Sequence, residues 1–278
     1  MNVLYCGDEN IERGLIISIL SLLKNIHEEL HVWVLTAEID FQGKHISPVK
    51  EDVVSALREH MQGYNGLNSI TMIDVSELFE KEIPVVNMGT RFTPFCMLRL
   101  FADDVPEIPD KIMYLDNDVV CRRNPSEFYN QDISEYELAG VLDYYGSWFF
   151  RRNPFKRDYL NSGVLLMNMS KIRETGLFKN CRKRCCEKEM FMPDQSAINK
   201  LAASKKICPR KFNEQRKLQS DTVMQHFTTS FRFFPYIRTV TVKPWDIDRL
   251  HEVLKLHEYD DLLSEYTVFY NSITKNRQ

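Results

Sequence analysis

Apolar runs of strand length alternate with helix-period patterns through the first third of the chain, and this alternation limits the fold more than anything else in the sequence. Residues 3–6 form a short apolar run ending at Gly7-Asp8-Glu9-Asn10. Ile11, Leu15, Ile19, Leu22 and Ile26 then recur at spacings of four and three, one face of an amphipathic helix. Residues 30–35 read as the next strand. A second helix follows over 48–61, with Val49, Val53, Leu57 and Met61 four apart, then a third strand over 69–75. Phe95, Leu98 and Phe101 share a helical face within 92–101, and 112–115 is a fourth strand. Repeated βα units predict a largely parallel sheet, with ligands near the carboxyl ends of its strands. Asp8 and Asp116 each follow a strand, so both should reach that edge.

The second half changes character. Residues 137–142 and 163–168 read as strands, with a polar aromatic segment, 144–158, between them. Residues 171–189 and 195–203 read as helices. Shorter runs at 206–210, 223–228 and 237–242 follow, and the tail from Asp246 is helical and mixed in charge. No linker rich in Gly, Pro or Ser interrupts the chain. The expectation is an α/β fold with one continuous domain, residues 1–245, and a C-terminal helical extension, residues 246–278. A chain of 278 residues can bury a full core.

Bulk composition excludes several classes. A net charge of −3 provides no general basic field for nucleic acid. No apolar run is long enough for a membrane-spanning helix, and the first residues lack the basic and apolar regions of a signal peptide. The seven cysteines follow no C-x-x-C spacing. That pattern predicts reduced thiols and a cytoplasmic location, or one peripheral to a membrane.

The chemistry concentrates at residues 113–120, Met-Tyr-Leu-Asp-Asn-Asp-Val-Val. In extended chain, residues i and i+2 project to the same side, so Asp116 and Asp118 would be presented to one point. Left alone they would repel and raise each other's pKa. A divalent cation removes that conflict, and hard oxygen ligands suit Mg²⁺ or Mn²⁺. Asp-x-Asp recurs at Asp246–Asp248, before the helical pattern of Ile247, Leu250, Val253 and Leu254. There Asp246 reads as an N-cap and Asp248 as a first-turn acid. Only the first pair follows a strand in mid-chain.

Read in order, the chain carries Asp8-Glu9-Asn10, Arg99-Leu100, Leu115-Asp116-Asn117-Asp118 and Asp143. Asn161-Ser162-Gly163-Val164-Leu165-Leu166-Met167-Asn168, Asp194-Gln195-Ser196-Ala197-Ile198-Asn199, His226 and Lys243-Pro244-Trp245 follow. This set resembles the glycogenin-like family of retaining nucleotide-sugar glycosyltransferases, glycosyltransferase family 8, which includes the bacterial lipooligosaccharide galactosyltransferases. The resemblance implies a GT-A (Rossmann-like) fold with a mixed, mainly parallel sheet. It also implies a UDP-glucose or UDP-galactose donor, Mn²⁺ with Mg²⁺ as the alternative, and a glycan, glycolipid or glycoprotein acceptor receiving an α-linked hexose. It assigns the metal to Asp116, Asp118 and His226, and donor binding to Cys6, Asp8, Asn10, Arg99, Asn117, Asn161 and Lys243. Asp143, Asp194 and Gln195 fall at the reacting centre. The chain departs from the family at Ser196, where a second Asp is frequent, and at Ile11, where an aromatic is common. His226 and Lys243 also stand further apart than in the bacterial galactosyltransferases.

Bland readings exist beside these. His226 could be a satisfied core histidine, and Arg99 could pair with Asp103 one helical turn on. Cys181 and Cys185 share a face with Phe178 and read as core, while Arg182-Lys183-Arg184 reads as a solvated face. The segment 144–157, with Trp148, Phe149, Phe150, Arg151 and Arg152, combines aromatic and basic groups suited to sugars and acids. Trp148, Phe149 and Arg152 are therefore candidate acceptor residues. The rival functional class is a silent sugar-nucleotide-binding scaffold on the same fold. A nucleotidyltransferase would need a Gly-rich phosphate loop, and Gly7-Asp8-Glu9-Asn10 is not one.

Overall fold

The computed structural model describes residues 1–89, 94–144, 158–232, 238–275 and 277. Its centre is a seven-stranded sheet in the order β10-β8-β9-β6-β1-β2-β5. Strands β1 (Asn2–Cys6), β2 (His31–Thr36), β5 (Ser69–Asp74) and β6 (Lys111–Leu115) run parallel to one another. Helix α1 (Glu12–Asn25) connects β1 to β2, and α2 (Glu51–Tyr64) leads into β5. The short α3 (Ser76–Lys81) and a 3₁₀ helix, Pro94–Asp104, precede β6. The chain thus steps outward through β1, β2 and β5, then returns to lay β6 on the other side of β1. The carboxyl ends of β1 and β6 flank this reversal, which is where an open α/β sheet forms its ligand crevice.

The strands divide two cores by their alternation. Val3, Tyr5, Met113 and Leu115 face one layer, with Leu15, Ile19, Val53 and Leu57 of α1 and α2. Leu4, Ile112 and Tyr114 face the other, with Phe79, Leu98, Phe101 and Phe178. Strand β9 (Leu160–Asn168) is antiparallel to both β6 and β8 (Leu138–Leu142), and β10 (Lys205–Ile207) is parallel to β8. Because β9 runs against its neighbours, its amino end lies at their carboxyl ends. Leu115 pairs with Val164, and Leu142 with Leu160.

Outside the main sheet, β7 (Val119–Cys121) pairs antiparallel with β11 (Met224–His226). Residues 228–241 contribute a hairpin, β12 (Ser230–Arg232) with β13 (Arg238–Val240). A second hairpin, β3 (Ile39–Phe41) with β4 (Lys44–Ile46), turns through Gln42 and Gly43, both at positive φ. Among the described residues the remaining α-helices are α4 (Ser126–Tyr129), α5 (Met169–Thr175), α6 (Leu177–Glu187), α7 (Pro193–Leu201), α8 (Ile247–Arg249) and α9 (Asp260–Lys275). A π turn, Leu250–Leu254, continues α8. Leu262, Leu263, Tyr266 and Ile273 of α9 join the core that holds α1 and α2.

Three local expectations are corrected. The helix read over 171–189 is two helices, α5 and α6, because Gly176 takes the left-handed conformation that ends a helix (φ 66°). The helix over 92–101 is 3₁₀ in its described part, and residues 92 and 93 lie outside the described residues. Arg182 does not sit on a solvated face. It is buried, with ion pairs to Glu82 (2.8 Å), Asp103 (2.5 Å) and Asp104 (2.5 Å). Asp103 is thereby occupied, and Arg99 pairs elsewhere. Cys181 and Cys185 are buried with Phe178, as their spacing predicts.

Candidate active site

Asp116 leaves β6 at the switch point. The Val119 amide donates to the Asp116 carbonyl (3.1 Å), closing a tight turn through Asn117 and Asp118. The two carboxylates therefore converge through a turn, not through the extended alternation that the sequence suggests. One oxygen of each is already held by the protein. Asp116 Oδ1 accepts from the Tyr114 hydroxyl (2.7 Å) and from Arg99 Nη2 (3.0 Å), and Asp118 Oδ2 accepts from Lys243 Nζ. The other two oxygens face His226. Its Nε2 lies 3.5 Å from Asp116 Oδ2 and 3.1 Å from Asp118 Oδ1.

Pairing brings His226 there. It sits opposite Val119 in the β7–β11 ladder, and the next amide, Phe227, donates to the Asp118 carbonyl (3.0 Å). One ligand atom from each of Asp116, Asp118 and His226 falls within 4.8 Å of the others. Asp118 Oδ1 is buried yet accepts no hydrogen bond among the described residues, the His226 contact being close without hydrogen-bond geometry. A buried, unsatisfied carboxylate oxygen is costly. A divalent cation would satisfy it together with the neighbouring carboxylate and imidazole, so the donor set fits such an ion. Gly163 borders the same point. A Cβ there would come within 2.1 Å of His226 Cε1 and 2.7 Å of Asp116 Oδ2.

The electrostatics are those of an enclosed charge cluster. Burial works against charge on Asp118, but Lys243 and His226 outweigh it and hold the carboxyl well below its usual range. Burial would lower His226, yet Asp118 and Asp116 raise it. Lys243 is also raised, because Asp118 prevails over its desolvation.

A second polar group adjoins the first. Asp143 ends β8, Asn161 and Ser162 open β9, and Asp194 and Gln195 lie in the first turn of α7. All five are buried. The Ser162 amide donates to Gln195 Oε1 (2.9 Å), so the Gln195 amide nitrogen turns to Asp143 Oδ2 (3.4 Å). Asn161 Nδ2 donates to that same oxygen (2.9 Å). The Ser162 hydroxyl reaches Asp194 Oδ2 (3.3 Å). Arg99 ties the two groups together. Its guanidinium lies 3.8 Å over the Tyr114 ring, 3.3 Å from Asp194 and 3.0 Å from Asp116, and also donates to the Ser162 carbonyl (2.6 Å).

Cys6, Asp8 and Asn10 lie at the carboxyl end of β1, on the same sheet edge. Burial pushes the Cys6 thiol up, which keeps it neutral. Asp8 accepts from the Asn10 amide (3.1 Å) and side chain (2.8 Å), shaping the turn into α1. The Asn117 carbonyl packs on α1 at Gly14, where a Cβ would be 2.4 Å from it. Trp148, Phe149 and Arg152 lie outside the described residues. Tyr144, which precedes them, has the guanidinium groups of Arg210 (5.2 Å) and Arg216 (4.5 Å) over its ring. Sequence reasoning missed Tyr114, Asn213 and Gln215. Gln215 Oε1 accepts from the Tyr144 amide (2.9 Å). No periodicity singles out Asn213-Glu214-Gln215, and burial of three consecutive polar residues becomes evident only in the fold.

Residues 2–248 match the family model described as Glycosyl transferase family 8. The chain belongs to that family. It is 23% identical over 296 residues to a lipopolysaccharide 1,2-glucosyltransferase of Escherichia coli, spanning 94% of this chain and 84% of that protein. It is 25% identical over 260 residues to a lipopolysaccharide 1,3-galactosyltransferase of Salmonella typhimurium, spanning 88% and 72%. Among solved structures it superposes on the galactosyltransferase LgtC, crystallised with donor and acceptor sugar analogs, with a TM-score of 0.69. That match has 20% identity and covers 95% of this chain and 96% of the other. The fold is accordingly GT-A. Family membership implies a glycosyltransferase with a nucleotide-sugar donor and a glycan acceptor. No described helix is long and apolar enough to cross a membrane.

Proposed function

We propose that this glycosyltransferase is metal-dependent and retaining, and moves galactose or glucose from the UDP-sugar to a glycan, glycolipid or glycoprotein, forming an α linkage. The observation that carries this reading is the convergence of Asp116 Oδ2, Asp118 Oδ1 and His226 Nε2, each left over after its own residue's remaining polar atoms are occupied. Mn²⁺ held there would act as a Lewis acid on the leaving diphosphate. Lys243, anchored on Asp118, adds a point charge on the same side.

The transferred sugar's C1–O bond to the diphosphate breaks as a bond from an acceptor hydroxyl forms, and the hydroxyl proton is lost to the departing phosphate. The charge that develops at C1 is oxocarbenium-like, and oxygen dipoles and carboxylates around it stabilise it. Asp143, Asp194 and Gln195 are cross-linked to one another through Ser162 and Asn161, so they meet the sugar already oriented. Arg99 bonds to Asp116, Asp194 and the Cys96 and Ser162 carbonyls, and so orients these acidic residues on the donor side. Cys6, Asp8, Asn10, Asn117 and Asn161 complete the donor side of the proposal. Trp148, Phe149 and Arg152 serve the acceptor.

The test is a panel of UDP-sugars with and without Mn²⁺, followed by NMR of the product. We expect UDP release that requires the metal, and an α-anomeric coupling in the product. Asp118→Asn should abolish Mn²⁺-dependent UDP binding in calorimetry. Unchanged Mn²⁺·UDP affinity in that variant would sink the metal assignment, and a β coupling would sink retention.

A further inference from the structure

Asn213 stands directly behind His226, fully buried, on the chain that pairs with β11. His226 Nδ1 is 3.2 Å from Asn213 Oδ1, and Asn213 Nδ2 is 2.9 Å from Asn161 Oδ1. Amide orientation is normally ambiguous, since oxygen and nitrogen look alike. Here a backbone donor resolves it. The Gly163 amide donates to Asn161 Oδ1 (3.0 Å), and an N–H cannot exchange roles. The Asn161 atom facing Gly163 is therefore oxygen, and that same oxygen faces Asn213. Asn213 must present its NH₂ group to Asn161, and so its oxygen to His226. The imidazole nitrogen that meets this oxygen must carry a proton. In the neutral ring Nε2 is then the lone pair, and Nε2 is the atom turned to Asp116 and Asp118.

We propose that Asn213 is a positioning residue that fixes His226 with its proton on Nδ1 and its Nε2 lone pair directed at the divalent cation. The inference rests on the metal reading of Asp116, Asp118 and His226. It adds a residue outside that set and a direction of control, from the Gly163 amide through Asn161 and Asn213 to the imidazole. A neutral histidine ligand whose other N–H is held by an acceptor keeps one tautomer and one ring orientation. Without that acceptor, the ring divides between tautomers, and one of them places a proton where the cation must bind.

Two variants separate the parts. Asn213→Leu removes both hydrogen bonds at similar volume. Asn213→Asp keeps an acceptor for Nδ1 and removes the donor to Asn161. The described residues contain one other cluster that could hold an ion, His251, His257 and Asp260, so all measurements use a background in which both of those histidines are alanine. Mn²⁺ binding is followed by EPR, and ¹⁵N shifts of the histidines are recorded in metal-free protein at alkaline pH, where the ring is neutral. Wild type should show a protonated Nδ1 and a bare Nε2 at His226. Asn213→Leu should show a mixture and bind Mn²⁺ about 10–100-fold more weakly. Asn213→Asp should retain the wild-type tautomer and most of the affinity. Unchanged Mn²⁺ affinity in a folded Asn213→Leu overturns the role of Asn213, as does a wild-type proton on Nε2, a result that needs no variant to fold. If Asp118→Asn also leaves Mn²⁺ affinity unchanged, the metal reading fails instead.

Discussion

At the scale of single residues, Gly163 shows how little room the site leaves. Its missing side chain is space in which His226 and Asp116 meet, and the Cβ of Gly163→Ala would overlap His226 Cε1. Neither neighbour is the loose end of a flexible chain. His226 is held by the ladder and by Asn213, and Asp116 by Arg99 and Tyr114. We expect Gly163→Ala to remove Mn²⁺-dependent UDP binding in calorimetry while the melting temperature falls by only a few degrees, as for a local strain of about 1–3 kcal/mol. In the sequence Asp116 and Asp118 are marked by the apolar run they follow, whereas Asp143, Asn161, Asp194 and Gln195 are picked out by the family resemblance and not by periodicity. The sequence does not display Asn213 or Tyr114. Their roles rest on side-chain contacts made only in the folded chain, Asn213 with His226 and Asn161 and Tyr114 with Asp116 and Arg99, and hydrophobic periodicity has no means of recording which buried polar side chain faces which.

At the scale of elements, close approach of backbones decides what the site rests on. The Asp116–Val119 turn lies against α1 only because Gly14 has no side chain, with Trp245 at 2.7 Å from the same missing atom. Gly14→Val should lower stability by about 1–3 kcal/mol through overpacking, read by urea melts, and weaken UDP binding in parallel. Helix α9 is fastened to α1 and α2 by Glu265, which lies 2.9 Å from Lys24, 3.0 Å from the Tyr64 hydroxyl and 3.4 Å from His60. Burial would raise its carboxyl, but these partners prevail and lower it. A depressed folded-state pKa contributes stability above the unfolded value of about 4.3 and loses it as pH falls through the folded value. Glu265→Gln should therefore melt below wild type at neutral pH, and the two curves should meet in acid; a gap that persists below that range would disprove the linkage. Legibility at this scale follows period and length. The parallel strands and α1 and α2 are evident because burial repeats along them. The break at Gly176, the two hairpins and the 3₁₀ helix are not, since each depends on one or two dihedral angles or on tertiary contacts.

For the whole molecule, α9 is part of the body rather than an appendage, whatever boundary the polar tail suggests. Leu262, Leu263, Tyr266 and Ile273 are each 5% exposed or less, within the core that holds α1 and α2. Burying four such side chains is worth on the order of 6–12 kcal/mol, an upper estimate, against a total stability of about 5–15 kcal/mol for a domain. A chain lacking residues 260–278 should lose its cooperative melting transition. A truncated protein that melts cooperatively near the wild-type temperature would show the helix to be dispensable.

The reversed direction of β9 carries a further consequence. Asp143 closes β8, and its amide is bonded to the Tyr159 carbonyl (2.9 Å), one residue before β9 begins. The chain therefore departs and re-enters at neighbouring points beside Asn161, Asp194 and Gln195, and the sheet registers only those two points. Such an arrangement works as a socket. A segment between residues 144 and 158 starts and finishes at neighbouring points, so a change in its length need not move the register of β6, β8 and β9. On the function proposed above, acceptor choice can then change by exchange of one cassette while the Asp116–Val119 turn, the amide network and the core stay as they are.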